Sequence, residues 1–190
     1  MALVYLVRHG ESEANALGIL TDSLEGYPLT AKGVEEVKAM SLQLSKFRFD
    51  RIVSSPVLRA RQSAAIISDA LNKPIEIDAR IRESSMGGYN NRKYFELPAG
   101  GRVEKGLESW ASMTSRMVDF AESLEGSVIA VTHQITIRVL LAHYMGIGEL
   151  ESYGIDISRA SVSVADTENG RIYAVGSMRL KRDFANEEKR

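Results

Sequence analysis

Six apolar or aromatic residues in a row, Ala2 to Val7, run without interruption into Arg8-His9-Gly10. A short run rich in β-formers and lacking polar alternation is the pattern of a strand covered on both faces. Val128 to Val131 repeats it and ends in Thr132-His133-Gln134. Strands of this kind need helices on either side of their sheet, and the rest of the chain supplies them. Thr30 can cap a helix running to about Lys46, with Val34, Val37, Leu42 and Leu44 along one stripe. Arg51 to Ser54 is a short strand, and Ser55-Pro56 reads as the N-cap and first position of a helix reaching Leu71. Pro74 to Ile77 is extended. Trp110, Met113, Met117, Phe120 and Leu124 give Leu107 to Leu124 a helical, core-facing stripe. A helix from Ile135 to Tyr144 follows the strand at Val128. Ser161 to Asp166 and Arg171 to Val175, joined at Asn169-Gly170, predict a hairpin. The expectation is an α/β fold, a three-layer α/β/α arrangement on a mostly parallel central sheet.

One catalytic domain over residues 1–190 suits the length, with 44% hydrophobic and 26% charged residues. Residues 84–106 contain Gly87-Gly88, Asn90-Asn91 and Pro98-Ala99-Gly100-Gly101, an irregular excursion or lid facing the substrate. Residues 179–190 form a charged tail, expected to fray. Lysine plus arginine (24) nearly balances aspartate plus glutamate (25), so anion binding has to come from a local cluster, and nucleic acid is not the expected partner. No apolar run approaches the ~18 residues of a membrane span, and the N-terminal run lacks the form of a signal peptide. The absence of cysteine removes disulfides, thiolate metal sites and a cysteine nucleophile, and a cytoplasmic location is the default.

In doubly wound sheets ligands bind where strands end and helices begin. Three such junctions carry chemistry: Arg8-His9-Gly10, Ser55-Pro56 to Arg59, and Thr132-His133-Gln134. Metal-ligand spacing is not among their features, and no metal is expected. His133 and His143 are ten residues apart on one helix and fall on different faces. Arg59 would stand in the first turn of its helix, where the macrodipole disfavours a cation by about 0.3–1 kcal/mol. A phosphate held by arginine forks and free helix N–H groups would offset that cost. His9 is the residue there able to attack phosphorus, because a neutral imidazole nitrogen is nucleophilic and its phosphoramidate is labile. Two nearby arginines would lower its pKa and keep that nitrogen unprotonated.

Leu6 to Ser12 (LVRHGES), Ser54 to Ala64 (SSPVLRARQSA), Glu83 after the third extended segment, and Val131 to Gln134 (VTHQ) together resemble the histidine phosphatase superfamily, which includes the cofactor-dependent phosphoglycerate mutases. The blocks occur in order across most of the chain. The resemblance implies that His9 is phosphorylated, that Arg8, Arg59 and His133 ligate the phosphoryl oxygens, and that Asn15 completes the first block by binding the same group. It also implies that Glu83 protonates the leaving oxygen and then activates the incoming water or alcohol. The phosphate favours the protonated form of Glu83 and the arginines the ionised form. Gln134 stands where the family usually has glycine, which implies a wider or differently bonded pocket there, with Gln134 itself in contact with substrate.

The blocks are shared by phosphatases and mutases. Only about fifty residues separate Glu83 from His133, less than the insertion with which the mutases retain a bisphosphorylated intermediate and exclude water, and this favours hydrolysis. The expected function is a metal-independent phosphomonoester hydrolase acting on a small phosphorylated metabolite, with no cofactor. Arg92, Lys93, Arg102 and Lys105 could meet the carboxylate of a phosphoglycerate, so a mutase, with 2,3-bisphosphoglycerate as cofactor, is the alternative. Further alternatives are a phosphohistidine-protein phosphatase, against which Glu83 counts, and a non-catalytic phosphate-binding module, against which His9 counts. Arg61 is expected in solvent and His143 in the interior or at an interface. A homodimer stays open.

Overall fold

The computed structural model describes residues 2–181 and residue 184. Strand β1 (Ala2–Arg8) leads through a loop to a short helix α1 (Glu13–Leu17), a two-residue strand β2 (Ile19–Leu20) and helix α2 (Ala31–Leu44). Then come β3 (Arg51–Ser54), α3 (Leu58–Leu71) and β4 (Ile75–Ile77). The excursion contributes β5 (Arg92–Lys93) and short 3-10 turns. Helix α4 (Trp110–Glu122), β6 (Gly126–Thr132), α5 (Gln134–Met145), α6 (Glu149–Ser152), β7 (Val162–Asp166) and β8 (Ile172–Ser177) complete the chain.

The central sheet has the order β4-β3-β6-β1-β7-β8. Its first four strands are parallel, and β7 and β8 run antiparallel as the predicted hairpin. Alternate residues of β1 feed two separate cores. Ala2, Val4 and Leu6 pack with Met113, Met117 and Phe120 of α4 and Ile137 and Leu140 of α5. Leu3, Tyr5 and Val7 pack with Val37, Met40 and Leu44 of α2 and Ala60, Ala64 and Ile67 of α3. A strand with period-2 side chains needs this double cover when every residue is apolar. The three-layer α/β/α architecture expected from the sequence is therefore the one observed.

Several expectations change in detail. Helix α3 begins at Leu58 with Val57 as its N-cap, not at Ser55-Pro56, because the Ser55 hydroxyl is drawn to His133 and to the Val57 N–H. Helices α1 and α6 and the β2–β5 pair carry too few residues to show a period. His143 is exposed, not interior. Of the tail expected to fray from 179 onward, Leu180 and Phe184 are buried in the second core, while residues 182–183 and 185–190 lie outside those described. No helix among the described residues is long and apolar enough to cross a membrane.

Register places the three junctions side by side. Arg8 pairs with Thr132 across β1 and β6, and Ser54 with Val131 across β3 and β6. The His9 N–H continues the ladder to the Thr132 carbonyl (3.0 Å), and the Ser55 N–H reaches the Val131 carbonyl (2.9 Å).

Candidate active site

At this carboxyl edge lies a cavity of about 250 Å³ whose polar lining includes Arg8, His9, Asn15, Arg59, Glu83 and Gln134. His9 is buried, and its Nδ1 sits 2.7 Å from the Gly10 carbonyl. A carbonyl can only accept, so Nδ1 carries the proton and Nε2 presents a lone pair. That lone pair accepts from Arg59 Nε–H at 3.1 Å, a bond that aims the ring and blocks protonation from that side. Burial, then the charges of Arg59 and Arg8, hold the His9 pKa well below the usual histidine value. The two arginines named from the sequence do contribute, but desolvation is the larger cause.

Arg59 is buried in the first turn of α3. Its Nη2 donates to the Thr21 carbonyl (3.0 Å) and to Glu83 Oε2 (3.2 Å), so a carboxylate supplies the negative partner its place on the helix calls for. Burial lowers the Arg59 pKa and Glu83 opposes that shift. Glu83 Oε1 accepts from the Ser84 N–H at 2.9 Å. His133, the N-cap of α5, is fully buried, with Nε2 2.8 Å from Ser55 Oγ. Its Nδ1 lies 3.4 Å from Glu83 Oε2 without forming a hydrogen bond. Burial first, then Arg59 and His9, keep its pKa well below the usual range. The two imidazoles stand 5.2 Å apart, centre to centre.

Arg8 donates from Nη1 to the Ile157 carbonyl (2.7 Å). Burial pushes its guanidinium down to about 10, opposed by Glu83 and reinforced by Arg159, Arg138 and Arg59. Three buried polar atoms of this cluster have no partner: Arg8 Nε, Arg59 Nη1 and His133 Nδ1. The two guanidinium nitrogens among these can only donate, and buried polar atoms left unsatisfied are expensive unless a ligand completes them. A tetrahedral dianion against His9 Nε2 would do so.

A family model of the histidine phosphatase superfamily (branch 1) matches residues 4–177. The chain belongs to the histidine phosphatase superfamily. It is 35% identical over 189 residues to a 2,3-bisphosphoglycerate-dependent phosphoglycerate mutase of Thermoplasma acidophilum, covering 95% of this chain and 94% of that one. The solved structure of Bacillus stearothermophilus YhfR superposes with a TM-score of 0.83 at 20% identity, covering 95% of this chain and 98% of the other. An Entamoeba histolytica phosphoserine phosphatase in complex with 3-phosphoglyceric acid gives 0.77 at 20%, with 93% and 96% covered. At that identity these structures establish the fold.

Within this member of the superfamily Asn15 serves two ends. Its Oδ1 caps α1 through the Ser12 N–H (3.1 Å) and hydroxyl (3.2 Å), and the residue lines the cavity. Gln134 is the first residue of α5 and also lines the cavity. Met86, Leu97, Leu107 and Tyr153 also line the cavity. Of the four cations considered for a substrate carboxylate, Arg102 alone reaches the cavity, held by the Glu108 carbonyl (2.8 Å) and the Ser84 hydroxyl. Arg92 lies 3.7 Å from Glu96, Lys93 bonds the Leu17 carbonyl, and Lys105 is half-buried outside the cavity lining. Arg61 pairs with Glu25 outside the cavity. Ser55, the Thr21 carbonyl and the Ile157 carbonyl fix the site residues and were not singled out for that part. Ser55 had a local signal, read there as a helix cap, whereas a backbone carbonyl has none. No group of three or more His, Cys, Asp or Glu side chains among the described residues converges as a metal site.

Proposed function

We propose that the protein is a phosphomonoester hydrolase working through a phosphohistidine on His9, with a small phosphorylated metabolite as substrate. The observation that carries the reading is the tautomer of His9, with Nδ1–H on the Gly10 carbonyl and the Nε2 lone pair held by Arg59 inside a cluster of unsatisfied polar atoms. In the first half-reaction the lone pair forms an N–P bond as the ester P–O bond breaks, and the departing oxygen takes the carboxyl proton of Glu83. In the second, Glu83 takes a proton from water as its oxygen bonds phosphorus, and the N–P pair returns to Nε2. Entering phosphate exchanges the Arg59–Glu83 pair for arginine–phosphoryl contacts and releases Glu83 toward the leaving oxygen, where it takes up from solvent the proton it then donates. Arg8, Arg59 and His133 meet the charge on the group in flight, so the reading assigns no metal to either step.

The cation distribution favours water as acceptor. A retained bisphosphorylated intermediate carries a second phosphoryl group, yet besides Arg8 and Arg59 the lining adds Arg102 as its one further cation, among Met86, Leu97 and Leu107. A second reading, phosphoglycerate mutase, draws on the 35% identity to the Thermoplasma enzyme and on Arg102 as a carboxylate partner. Incubation with 3-phosphoglycerate, with and without 2,3-bisphosphoglycerate, separates the two when free phosphate and 2-phosphoglycerate are both followed. Hydrolysis predicts phosphate release indifferent to the bisphosphate. Rapid isomerisation with negligible phosphate would replace the first reading by the second.

A further inference from the structure

Arg116 lies on α4, outside the cavity lining, and is 8% exposed. Its guanidinium forks onto Glu108, Nε to Oε1 at 2.8 Å and Nη2 to Oε2 at 3.0 Å. The third nitrogen, Nη1, donates to the Arg82 carbonyl at 2.9 Å and to the Arg80 carbonyl. Glu108 in turn accepts the Ser85 N–H at 3.2 Å and the Arg82 side chain at 3.3 Å, and its own N–H meets the Ser85 carbonyl at 3.0 Å. One ion pair therefore grips the backbone immediately before Glu83 and two residues after it. Thr136 adds a hydroxyl to the Arg82 carbonyl at 3.1 Å, and Thr132 one to the Ile81 carbonyl at 2.6 Å.

Residues 82–86 have no helix or strand of their own to define where Glu83 points. Placement of an acid within hydrogen-bond reach of a leaving oxygen is what makes it effective, and a segment without a ladder has to borrow its rigidity. The fork geometry of arginine suits this task, because one planar guanidinium donates at once to two carboxylate oxygens and two carbonyls. A lysine ammonium would keep the charge and lose the fork.

We infer that the buried Arg116–Glu108 pair is the positioning device of the general acid, setting Glu83 against the leaving oxygen without touching substrate. The inference rests on the reading of Glu83 as the acid. A positioning role has a signature that general loss of structure lacks. Protonation matters greatly for an alkyl leaving group and little for 4-nitrophenolate, so loss of aim is selective.

The test compares kcat/KM, which reports the phosphorylation half-reaction, for an alkyl phosphomonoester and for 4-nitrophenyl phosphate. Variants are Arg116→Lys, the double change Arg116→Met with Glu108→Leu, and Glu83→Gln. The double change removes both buried charges together, so neither is left unpaired in the core. Arg116→Lys and the double variant are expected to lose about 10- to 100-fold on the alkyl ester, part of the ~10²–10⁴-fold a general acid supplies, and less than about threefold on the aryl ester. Glu83→Gln should show the same selectivity more strongly. Selective loss in Glu83→Gln with equal loss on both esters in the Arg116 variants overturns the positioning role. No selectivity in Glu83→Gln overturns the acid itself, and the inference falls with it.

Discussion

His9 and His133 are both buried and both held neutral, and this has a consequence for stability as well as for catalysis. In the unfolded chain each takes up a proton as pH falls through the ordinary histidine pKa of about 6.5, whereas in the folded protein each stays neutral further down. The unfolded state then binds more protons, so the contribution is intact above about 6.5 and is lost below it. The slope reaches about 1.4 kcal/mol per pH unit for each ring until the folded pKa is reached. Urea unfolding at pH 7.5, 6 and 5 measures it, with a His9→Asn, His133→Asn double variant as the reference. The difference between parent and variant should turn against the parent as pH falls; a difference independent of pH would contradict the neutral-imidazole assignment. The same neutrality keeps Nε2 of His9 nucleophilic under mildly acidic conditions.

At the scale of elements, the loop that carries His9 is fixed by close packing on α2. A Cβ on Gly33 would stand 2.0 Å from the Glu11 carbonyl oxygen, and one on Gly10 would stand 2.4 Å from the Gly33 carbonyl oxygen. Helix and loop touch backbone to backbone, so Gly33→Ala must push the loop outward. The expected cost is about 1–3 kcal/mol of stability, typical of overpacking, with a fall in kcat/KM because Glu11 is two residues from the nucleophile. Wild-type stability and activity in Gly33→Ala would show that the contact does not set the loop. The excursion at 84–106 makes a different kind of join. The Asn91 N–H bonds the Leu20 carbonyl (2.8 Å), the Tyr94 N–H the Gly18 carbonyl (3.1 Å), and Thr21 Oγ1 the Asn91 side chain (2.9 Å). If this segment acts as a lid, it carries residues 18–23 with it. Hydrogen exchange with and without vanadate should show protection in both segments changing together. A change confined to 84–106 would mean that these bonds do not couple them.

Across the whole molecule, what the sequence made legible was what period and order encode. Two uninterrupted apolar strands predicted a sheet covered on both faces, and alternate residues of β1 do feed two cores. The histidine and arginine blocks predicted which junctions would meet, because parallel register brings strand ends together whatever the loops between them do. Features set by tertiary partners were not legible. Ser55 reads locally as a helix cap, yet its hydroxyl is claimed by His133 from another strand. The Thr21 and Ile157 carbonyls that hold Arg59 and Arg8 leave no trace in residue type. Arg102 and three other cations look alike in sequence, and only the folding of the excursion decides which one faces the cavity. The Arg116–Glu108 pair joins a helix to an irregular segment, and the helical period of 107–124 marks the apolar positions of that stretch and not this pair.

The central claim is that phosphoryl transfer passes through Nε2 of His9, and the direct measurement is a quench after mixing enzyme with a ³²P-labelled phosphomonoester. The account predicts label that is acid-labile and base-stable, maps to the peptide containing His9, and is absent in His9→Ala together with turnover. Acid-stable label on another residue, or turnover undiminished in His9→Ala, would contradict it.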